Sequence, residues 1–259
     1  MSVTYRDAFS LKEAPFGPVL SYLNSGSTMS EAPIWAKSPR SRSQIVRRVC
    51  EALLQEYGRS RLGNPRDPID DLLYIVISNK TASKTARAVY ERVKGAFPKW
   101  QAMLDAPAAR LRRILTPAGL AKVKGSQIRL ALRQIRRDYG AKGLGNLKRI
   151  STPDAERYLT ALPGVSEKVA KCVLMYTMNG AVLPVDAHVH RLASRLGWTR
   201  RKRADQCHEE LEALVPPHRR YAFHVDCVMH GRYICRPSRP LCSECCIRGH
   251  CYAFASLQK

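Results

Sequence analysis

Five of the chain's nine cysteines lie within eighteen residues, in the segment ICRPSRPLCSECCIRGHC, residues 234–251. After Cys235, the next cysteines follow at intervals of six, two and five residues, and Cys246 is an extra neighbour of Cys245. Thiolates so spaced can hold a 4Fe–4S cluster or zinc, although zinc usually takes paired ligand turns. A disulfide framework is typical of much shorter secreted chains. The spacing favours the iron–sulfur cluster, with zinc as the alternative and Cys246 as the extra thiol.

The chain is strongly basic, with 44 Lys and Arg against 21 Asp and Glu and a formal net charge of +23. This excess indicates a polyanionic partner, most simply nucleic acid. Aromatic residues make up only 7%, so a platform for stacking single-stranded bases is not indicated. There is neither a signal-like N-terminus nor an apolar stretch of about 18 residues. We therefore expect a protein that is not secreted, cytoplasmic and nucleoid-associated in a bacterium or nuclear in a eukaryote.

The apolar residues recur at helical spacing, and no alternating strand pattern competes with them, so the sequence predicts an all-α fold. Residues 1–42 are rich in Ser, Pro and Gly and end in a basic run, which predicts a disordered basic arm. A helix is predicted over residues 43–58. Another begins near Pro68, and its apolar run, residues 72–77, predicts a buried central helix.

The segment LTALPGVSEKVAKCVLMY predicts a helix, a tight turn and a second helix. Pro163 fixes φ, and Gly164 allows backbone conformations closed to other residues. Such a turn presents backbone N–H groups together with a helix N-terminus, which can bind phosphate. The residues expected to contact nucleic acid here are Leu162, Gly164, Val165 and Ser166. Lys168 lies in the first turn of the second helix, where most lysines are simply solvated.

Asp186 directly precedes a predicted helix in the segment LPVDAHVHRLASRLGW. Aspartate favours helix N-caps, and the positive helix end keeps such a carboxylate ionised and fixed in direction. The residue is therefore a candidate for capping and for catalysis. His188 and His190 lie two residues apart and do not share a helix face, so we expect packing or hydrogen bonding from them rather than metal binding.

The segments LTALPGVSEKVAKCVL, PVDAHVHRLASRLGW and HGRYICRPSRPLCSECCIRGHC resemble, in this order, the endonuclease III superfamily of DNA glycosylases. That family carries a helix–hairpin–helix, then a Gly/Pro-rich loop and an aspartate. The resemblance runs from about Ser43 to Phe254. It implies a 4Fe–4S cluster bound by Cys235, Cys242, Cys245 and Cys251, with Arg236 and Arg239 facing DNA phosphates. The C-terminal lobe alone is also similar to plant Demeter-type 5-methylcytosine glycosylases.

The family's catalytic lysine falls on Lys168 and its aspartate on Asp186. The resemblance thus implies that a base is flipped out of the duplex and that Lys168 forms a Schiff base, which permits β-elimination. Asp186 would assist deprotonation or stabilise positive charge on the sugar. Where the family usually has a glutamine that fills the gap left by the base, this chain has Lys80, beside Asn79, and the resemblance implies that both contact DNA. Lysine lacks the acceptor of glutamine, so the opposite-base preference stays open.

We therefore expect two helical lobes after the arm. One is a six-helix barrel with the helix–hairpin–helix, residues 69–180, and the other is an iron–sulfur lobe of residues 43–68 and 181–259. The expected function is a monomeric bifunctional DNA glycosylase/AP lyase that acts on a damaged or modified pyrimidine in double-stranded DNA during base excision repair. Alternatives are removal of 5-methylcytosine or mismatched thymine, or a non-catalytic iron–sulfur protein that binds DNA structures. The last would have no need of both Lys168 and Asp186.

Overall fold

The computed structural model describes residues 33–58 and 60–256. Within these ranges the secondary structure consists of α-helices, 3-10 helices and turns, without a strand, which confirms the predicted all-α fold. No helix in this part of the chain is long and apolar enough to cross a membrane. Most of the predicted arm, residues 1–32, lies outside the described residues.

Twelve α-helices are present in the described ranges, and they are numbered here in chain order. They are α1 (Pro39–Tyr57), α2 (Pro68–Ser78), α3 (Ser83–Ala96), α4 (Ala102–Asp105), α5 (Ala108–Leu115), α6 (Ala121–Tyr139), α7 (Thr152–Thr160), α8 (Glu167–Thr177), α9 (Ala187–Arg195), α10 (His208–Leu214), α11 (Arg220–Tyr233) and α12 (Tyr252–Ser256). The 3-10 helices are Ile34–Ala36, Thr116–Ala118, Gly140–Arg149, Ala204–Gln206, Pro217–Arg219, Cys242–Glu244 and Arg248–His250.

The first helix begins earlier than predicted. Ser38 caps α1 by accepting a hydrogen bond from the backbone N–H of Ser41, at 3.3 Å, and Pro39 occupies the first helical position. Both residues are favoured there, because the cap satisfies a free N–H and proline lacks one. The end of the predicted arm, residues 33–42, is therefore ordered, and the prediction of disorder was wrong for this part. The Ser- and Pro-rich composition that indicated disorder also supplies this helix start.

The predicted buried helix is α2. Asp67 caps it by accepting from the backbone N–H groups of Ile69 and Asp70, at 2.9 and 3.0 Å. The apolar residues of the helix are buried, apart from the partly exposed Tyr74. It packs most extensively against α8 and α3, and the apolar sides of α5, α6 and α7 complete the same core. This core supports the candidate site.

The chain divides into two compact units. We call residues 64–186 and 203–224 the hairpin unit, and the described residues of 1–63, 187–202 and 225–259 the cysteine unit. The boundaries differ from those of the predicted lobes, since residues 181–186 and 203–224 group with the hairpin. The reason is physical, because side chains of the second segment hold the backbone of the first, as described below.

Candidate functional site

The predicted hairpin lies between α7 and α8. Ser166 caps α8 by accepting from the backbone N–H of Val169 at 3.5 Å, and Gly164 has a φ of +77°. The side chains of Leu162 and Val165 are buried in the core, whereas Gly164 and Ser166 are exposed. Of the four predicted DNA-contact residues, Leu162 and Val165 therefore anchor the turn in the core, and only Gly164 and Ser166 lie at its surface.

Backbone N–H groups in the turn differ in their partners. The N–H groups of Leu162 and Val165 donate within the hairpin, to Leu159 O and Leu162 O, both at 3.1 Å. Those of Gly164 and Ser166 have no acceptor among the described residues. At the start of α8, Val169 N–H donates to the Ser166 cap, whereas the N–H groups of Glu167 and Lys168 are free because their partners would lie before the helix start. The turn and the start of α8 together offer donors suited to an anion.

Lys168 lies in the first turn of α8 and is partly buried. Its Nζ atom donates a hydrogen bond to the side-chain oxygen of Asn79, at 2.8 Å. Lysine can only donate, so the amide oxygen of Asn79 must face the amine. Asn79 directly follows α2, so the end of one core helix fixes the amine at the start of another. Asn79, predicted as a DNA contact, therefore forms a hydrogen bond with the candidate nucleophile.

The charges of Lys168 and Asp186 both affect the pKa of Cys172, which lies one turn after Lys168 on α8. Burial raises the pKa of this thiol to about 12, the positive charge of Lys168 opposes the rise, and Asp71 and Asp186 add to it. The two predicted catalytic residues are therefore within electrostatic reach of the same buried atom. Asp186 is also the last residue before α9, as predicted. The hairpin unit contains both.

The loop that ends at Asp186 is held by side chains that sequence reasoning missed. Glu212, on α10, accepts from the backbone N–H of Leu183 at 3.2 Å and from Lys171 Nζ at 2.7 Å. Further contacts hold carbonyl groups of the loop: Arg220 donates to Ala181 O, His208 Nδ1 lies 3.4 Å from Leu183 O, and His224 Nδ1 lies 2.9 Å from Pro184 O. Both N–H and carbonyl groups of the loop before Asp186 are therefore hydrogen-bonded to side chains.

Lys171 is the centre of a buried charge network. Its side chain is 7% exposed, and its Nζ lies 2.7 Å from Glu212, 3.1 Å from Glu156 and 3.7 Å from Glu167. Burial disfavours the ammonium, but Glu212 and Glu156 more than offset this, so the pKa of Lys171 is raised. A charged residue amid the apolar run of α8 was the available signal. The network joins α7, α8 and α10 around the Asp186 loop.

A second buried acid, Asp71, lies on α2. One of its oxygens accepts from Asn64 at 2.6 Å, and the other has no partner among the described residues. Burial raises the pKa of Asp71 to about 8, although Asn64 and the charge of Arg87 oppose the rise. The acid is therefore largely protonated at neutral pH. Aspartate is rarely buried to this extent, and nothing in the sequence indicated it.

Two exposed side chains occupy loop tips of the hairpin unit. Lys80, after α2, is exposed and has a φ of +54°. Leu120, directly before α6, is 56% exposed and has a φ of +51°. Positive φ is unfavourable for both residue types and often marks functional positions. Leu120 was missed, because a leucine at a helix start is ordinarily a core residue.

The four predicted cluster ligands surround a cavity of about 160 Å³ in the cysteine unit. Its lining includes Cys235, Cys242, Cys245 and Cys251, whereas Cys246 is not among the described residues that line it. No three Cys, His, Asp or Glu side chains of residues 33–58 and 60–256 converge closely enough to hold a metal ion. Thiols spread around a cavity suit a multi-atom cluster better than a single zinc ion.

Polar groups contact the sulfur atoms of this cavity. Arg195 donates to Cys235 Sγ at 3.0 Å, and His230 Nε2 lies 3.4 Å from Cys245 Sγ. Tyr57 Oη lies 2.8 Å from the other ring nitrogen of His230. Burial lowers the pKa of His230 to about 4, so the ring is neutral and can accept from Tyr57 while it donates to the sulfur. Such groups orient metal-bound thiolates and tune them.

Burial and the neighbouring thiols raise the pKa of Cys245, so bare thiolates are disfavoured there unless a cation compensates them. The donor set therefore fits the predicted cluster. Both predicted phosphate contacts of the loop, Arg236 and Arg239, are exposed. Arg236 donates to Tyr233 O at 3.0 Å, and Arg239 has a φ of +54°.

The chain is similar to known DNA repair proteins. The model of the family "HhH-GPD superfamily base excision DNA repair protein" matches residues 73–217, which include the hairpin, Lys168 and Asp186. Endonuclease III of Thermotoga maritima is 29% identical over 207 residues, covering 80% of this chain and 92% of that protein. Transcriptional activator DEMETER of Arabidopsis thaliana is 26% identical over 61% of this chain but only 9% of its own length.

Among solved structures, a non-covalent endonuclease III–DNA complex has a similar fold. Its TM-score is 0.74 at 20% sequence identity, and the match covers 84% of this chain and 99% of that one.

Proposed function

Because the chain belongs to the HhH-GPD superfamily of base excision DNA repair proteins, we propose that Lys168 makes it a bifunctional enzyme that excises a damaged or modified pyrimidine and cleaves the strand. The protein is an enzyme of the DNA glycosylase/AP lyase class. The observation that carries the bifunctional proposal is the position of Lys168, whose amine is held by Asn79 at 2.8 Å in the unit that also contains Asp186.

The protein first binds DNA through a phosphate of its backbone. The free N–H groups of Gly164 and Ser166, with those of the first turn of α8, bind a phosphate on the helix N-terminus. A net charge of +23 supports attraction of the duplex. The base is then rotated out of the stack, because its sugar is unreachable inside a duplex. Lys80 and Leu120, exposed on neighbouring loop tips, are suited to occupy the space that the base leaves.

Lys168 acts as a neutral amine. Its lone pair forms a bond to C1′ of the sugar as the glycosidic bond breaks, and the base departs with the bonding electrons and takes up a proton. The amine then loses one proton, its lone pair expels O4′, which takes up a proton as the ring opens, and a protonated Schiff base results. Loss of a proton from C2′ expels the 3′ phosphate, which cleaves the strand. Hydrolysis of the Schiff base returns the lysine.

Asp186 serves the same steps electrostatically. Positive charge develops on the sugar as the base leaves, and a fixed carboxylate stabilises it. The carboxylate also accepts the proton that the amine must lose. The contacts of Glu212, His208 and His224 with the preceding loop hold Asp186 in place.

Cys235, Cys242, Cys245 and Cys251 would hold a 4Fe–4S cluster, with Arg195 and His230 contacting two of the sulfur atoms. When bound, the cluster supplies iron that neutralises the thiolates and cross-links the loop. Arg236 and Arg239, exposed on that loop, supply positive charge for DNA phosphates. The protein is proposed to act as a monomer on double-stranded DNA.

A panel of duplexes, each with one modified base, tests the proposal. It includes oxidised pyrimidines, 5-methylcytosine and thymine opposite guanine, and strand nicking is scored against the same duplexes treated with Lys168→Gln protein. We expect nicking with an oxidised pyrimidine and none with the variant. Nicking of the 5-methylcytosine or mismatched-thymine duplex alone would replace the substrate class. Binding without base release on every duplex would favour a non-catalytic DNA-structure binder.

A further inference from the structure

Lys124, in the first turn of α6, is a buried lysine whose partners are all uncharged. It is 3% exposed, and its ammonium donates to Ile77 O at 2.9 Å, to Ala118 O at 2.8 Å and to Thr81 Oγ1 at 2.7 Å. All three donors of the ammonium are therefore used. No carboxylate within residues 33–58 and 60–256 pairs with it. Burying such a charge is unfavourable, which argues for a purpose other than core stability.

The three acceptors belong to two separate loops. Ile77 and Thr81 flank the tip that carries Lys80, and Ala118 precedes the tip that carries Leu120. The Thr81 hydroxyl also donates to Ala118 O at 2.7 Å, so a continuous chain of hydrogen bonds joins the loops. Lys124 is the centre of this chain.

Both tips have unfavourable backbone conformations. Lys80 has a φ of +54° and Leu120 a φ of +51°, although neither is glycine. Side chains in such conformations persist only where the surrounding structure enforces them. Lys124 supplies that enforcement to both loops at once, since its donors bind carbonyl and hydroxyl oxygens within three residues of each tip.

We propose that Lys124 is a positioning residue that fixes the Lys80 and Leu120 tips as a single rigid surface for entering the duplex. The inference rests on the proposed function, which places both tips at the displaced base. An apolar wedge that unstacks a base step must arrive together with the group that fills the gap. The lysine therefore serves base extrusion, and none of its hydrogen bonds is made to Lys168.

Two variants separate this role from general support of the fold. Lys124→Met keeps the length and the apolar stem but removes all three donors, and Thr81→Val removes one acceptor and the link to Ala118. The control is Lys122→Met, which removes an exposed lysine of the same helix. Base extrusion is followed by the fluorescence of 2-aminopurine beside the lesion, excision by single-turnover kinetics, and the lysine reaction by borohydride trapping on single-stranded abasic DNA.

We expect Lys124→Met to reduce extrusion and duplex excision by about tenfold, because small displacements of positioned groups are costly. Thr81→Val should reduce them less, and Lys122→Met should leave extrusion unchanged. Trapping on single-stranded abasic DNA should fall much less than extrusion in these variants, because the only link from Lys124 to Lys168 among the described residues runs indirectly through Asn79. A parallel loss of trapping and extrusion would overturn the proposal, and Thr81→Val retains the test if Lys124→Met does not fold.

A double variant tests whether Lys124 acts through the leucine tip. In a Leu120→Ala protein, Lys124→Met should have a smaller further effect on extrusion, because only the Lys80 tip is then left to position and residues acting as one unit are not additive. Equal effects in both backgrounds would overturn the proposal. Absence of trapping by the wild-type protein would instead contradict the proposed function, while the extrusion measurement would still test the positioning role of Lys124.

Discussion

Replacing Gly164 with alanine should destabilise the hairpin for two separable reasons. Its φ of +77° is unfavourable for an L-residue, at about 1–2 kcal/mol. A Cβ atom there would also lie 2.7 Å from Cδ and 2.8 Å from Cβ of Gln127, and closer still to Cγ. Relief of such overpacking costs about 1–3 kcal/mol more. The free energy of unfolding should therefore fall by roughly 2–5 kcal/mol in total.

Gly140→Ala is the matched control, because Gly140 has a φ of +59° in the same unit but nothing within 4 Å of an added Cβ. It should lose only the conformational part, since its φ of +59° and ψ of −142° are unfavourable for alanine. Urea unfolding measures both variants, and duplex binding at several salt concentrations shows whether only Gly164→Ala disturbs the phosphate-binding turn. Gln127→Ala should restore part of the stability of Gly164→Ala by removing Cγ and Cδ. Equal losses for the two glycine variants would refute the packing argument.

Three further predictions concern buried charge, the Asp186 loop and the cysteines. The pKa of Asp71 is raised from 3.8 to about 8, so its ionisation makes the free energy of unfolding fall as pH rises through this interval. In urea unfolding at pH 5 and pH 8, Asp71→Asn should remove that fall, whereas Asp105→Asn, at an exposed carboxylate, should not. Glu212→Gln removes the charge that pairs with Lys171. It should slow borohydride trapping while duplex binding persists, because the Asp186 loop is loosened and the hairpin is not. Unchanged trapping would argue that Glu212 does not position Asp186. Anaerobically purified Cys245→Ser protein should lose iron and sulfide, whereas Cys246→Ser should retain close to four of each; stoichiometric zinc without sulfide in the wild-type protein would rule out the cluster.

Local rules predicted the hairpin well. Pro163, Gly164 and Ser166 each have a backbone preference that acts within a few residues, so the turn and the start of α8 could be read from sequence. The start of α1 was missed although its signals were equally local, since Ser38 and Pro39 stand in a segment whose composition indicates disorder. Composition describes an average, and a cap depends on one position.

Long-range contacts could not be predicted in this way. The burial of Lys124 and Asp71 depends on which helices pack around them, and the sequence around these two residues gave no clear sign of it. The same holds for Asn79, whose amide meets Lys168 across 89 positions of the chain. The grouping of residues 203–224 with the hairpin also arises from side chains that reach back to the Asp186 loop. Motif spacing identified the candidate residues, and tertiary packing determined what holds them.

The central claim is that Lys168 is the nucleophile, and borohydride trapping on an abasic duplex tests it most directly. Reduction of a Schiff base converts it into a stable amine, so the wild-type protein should form a covalent adduct with the DNA strand. Lys168→Gln should form none, yet it should still bind the duplex, because backbone N–H groups of the hairpin hold the phosphate. An undiminished adduct in the Lys168→Gln protein would contradict the account and place the nucleophile on another residue.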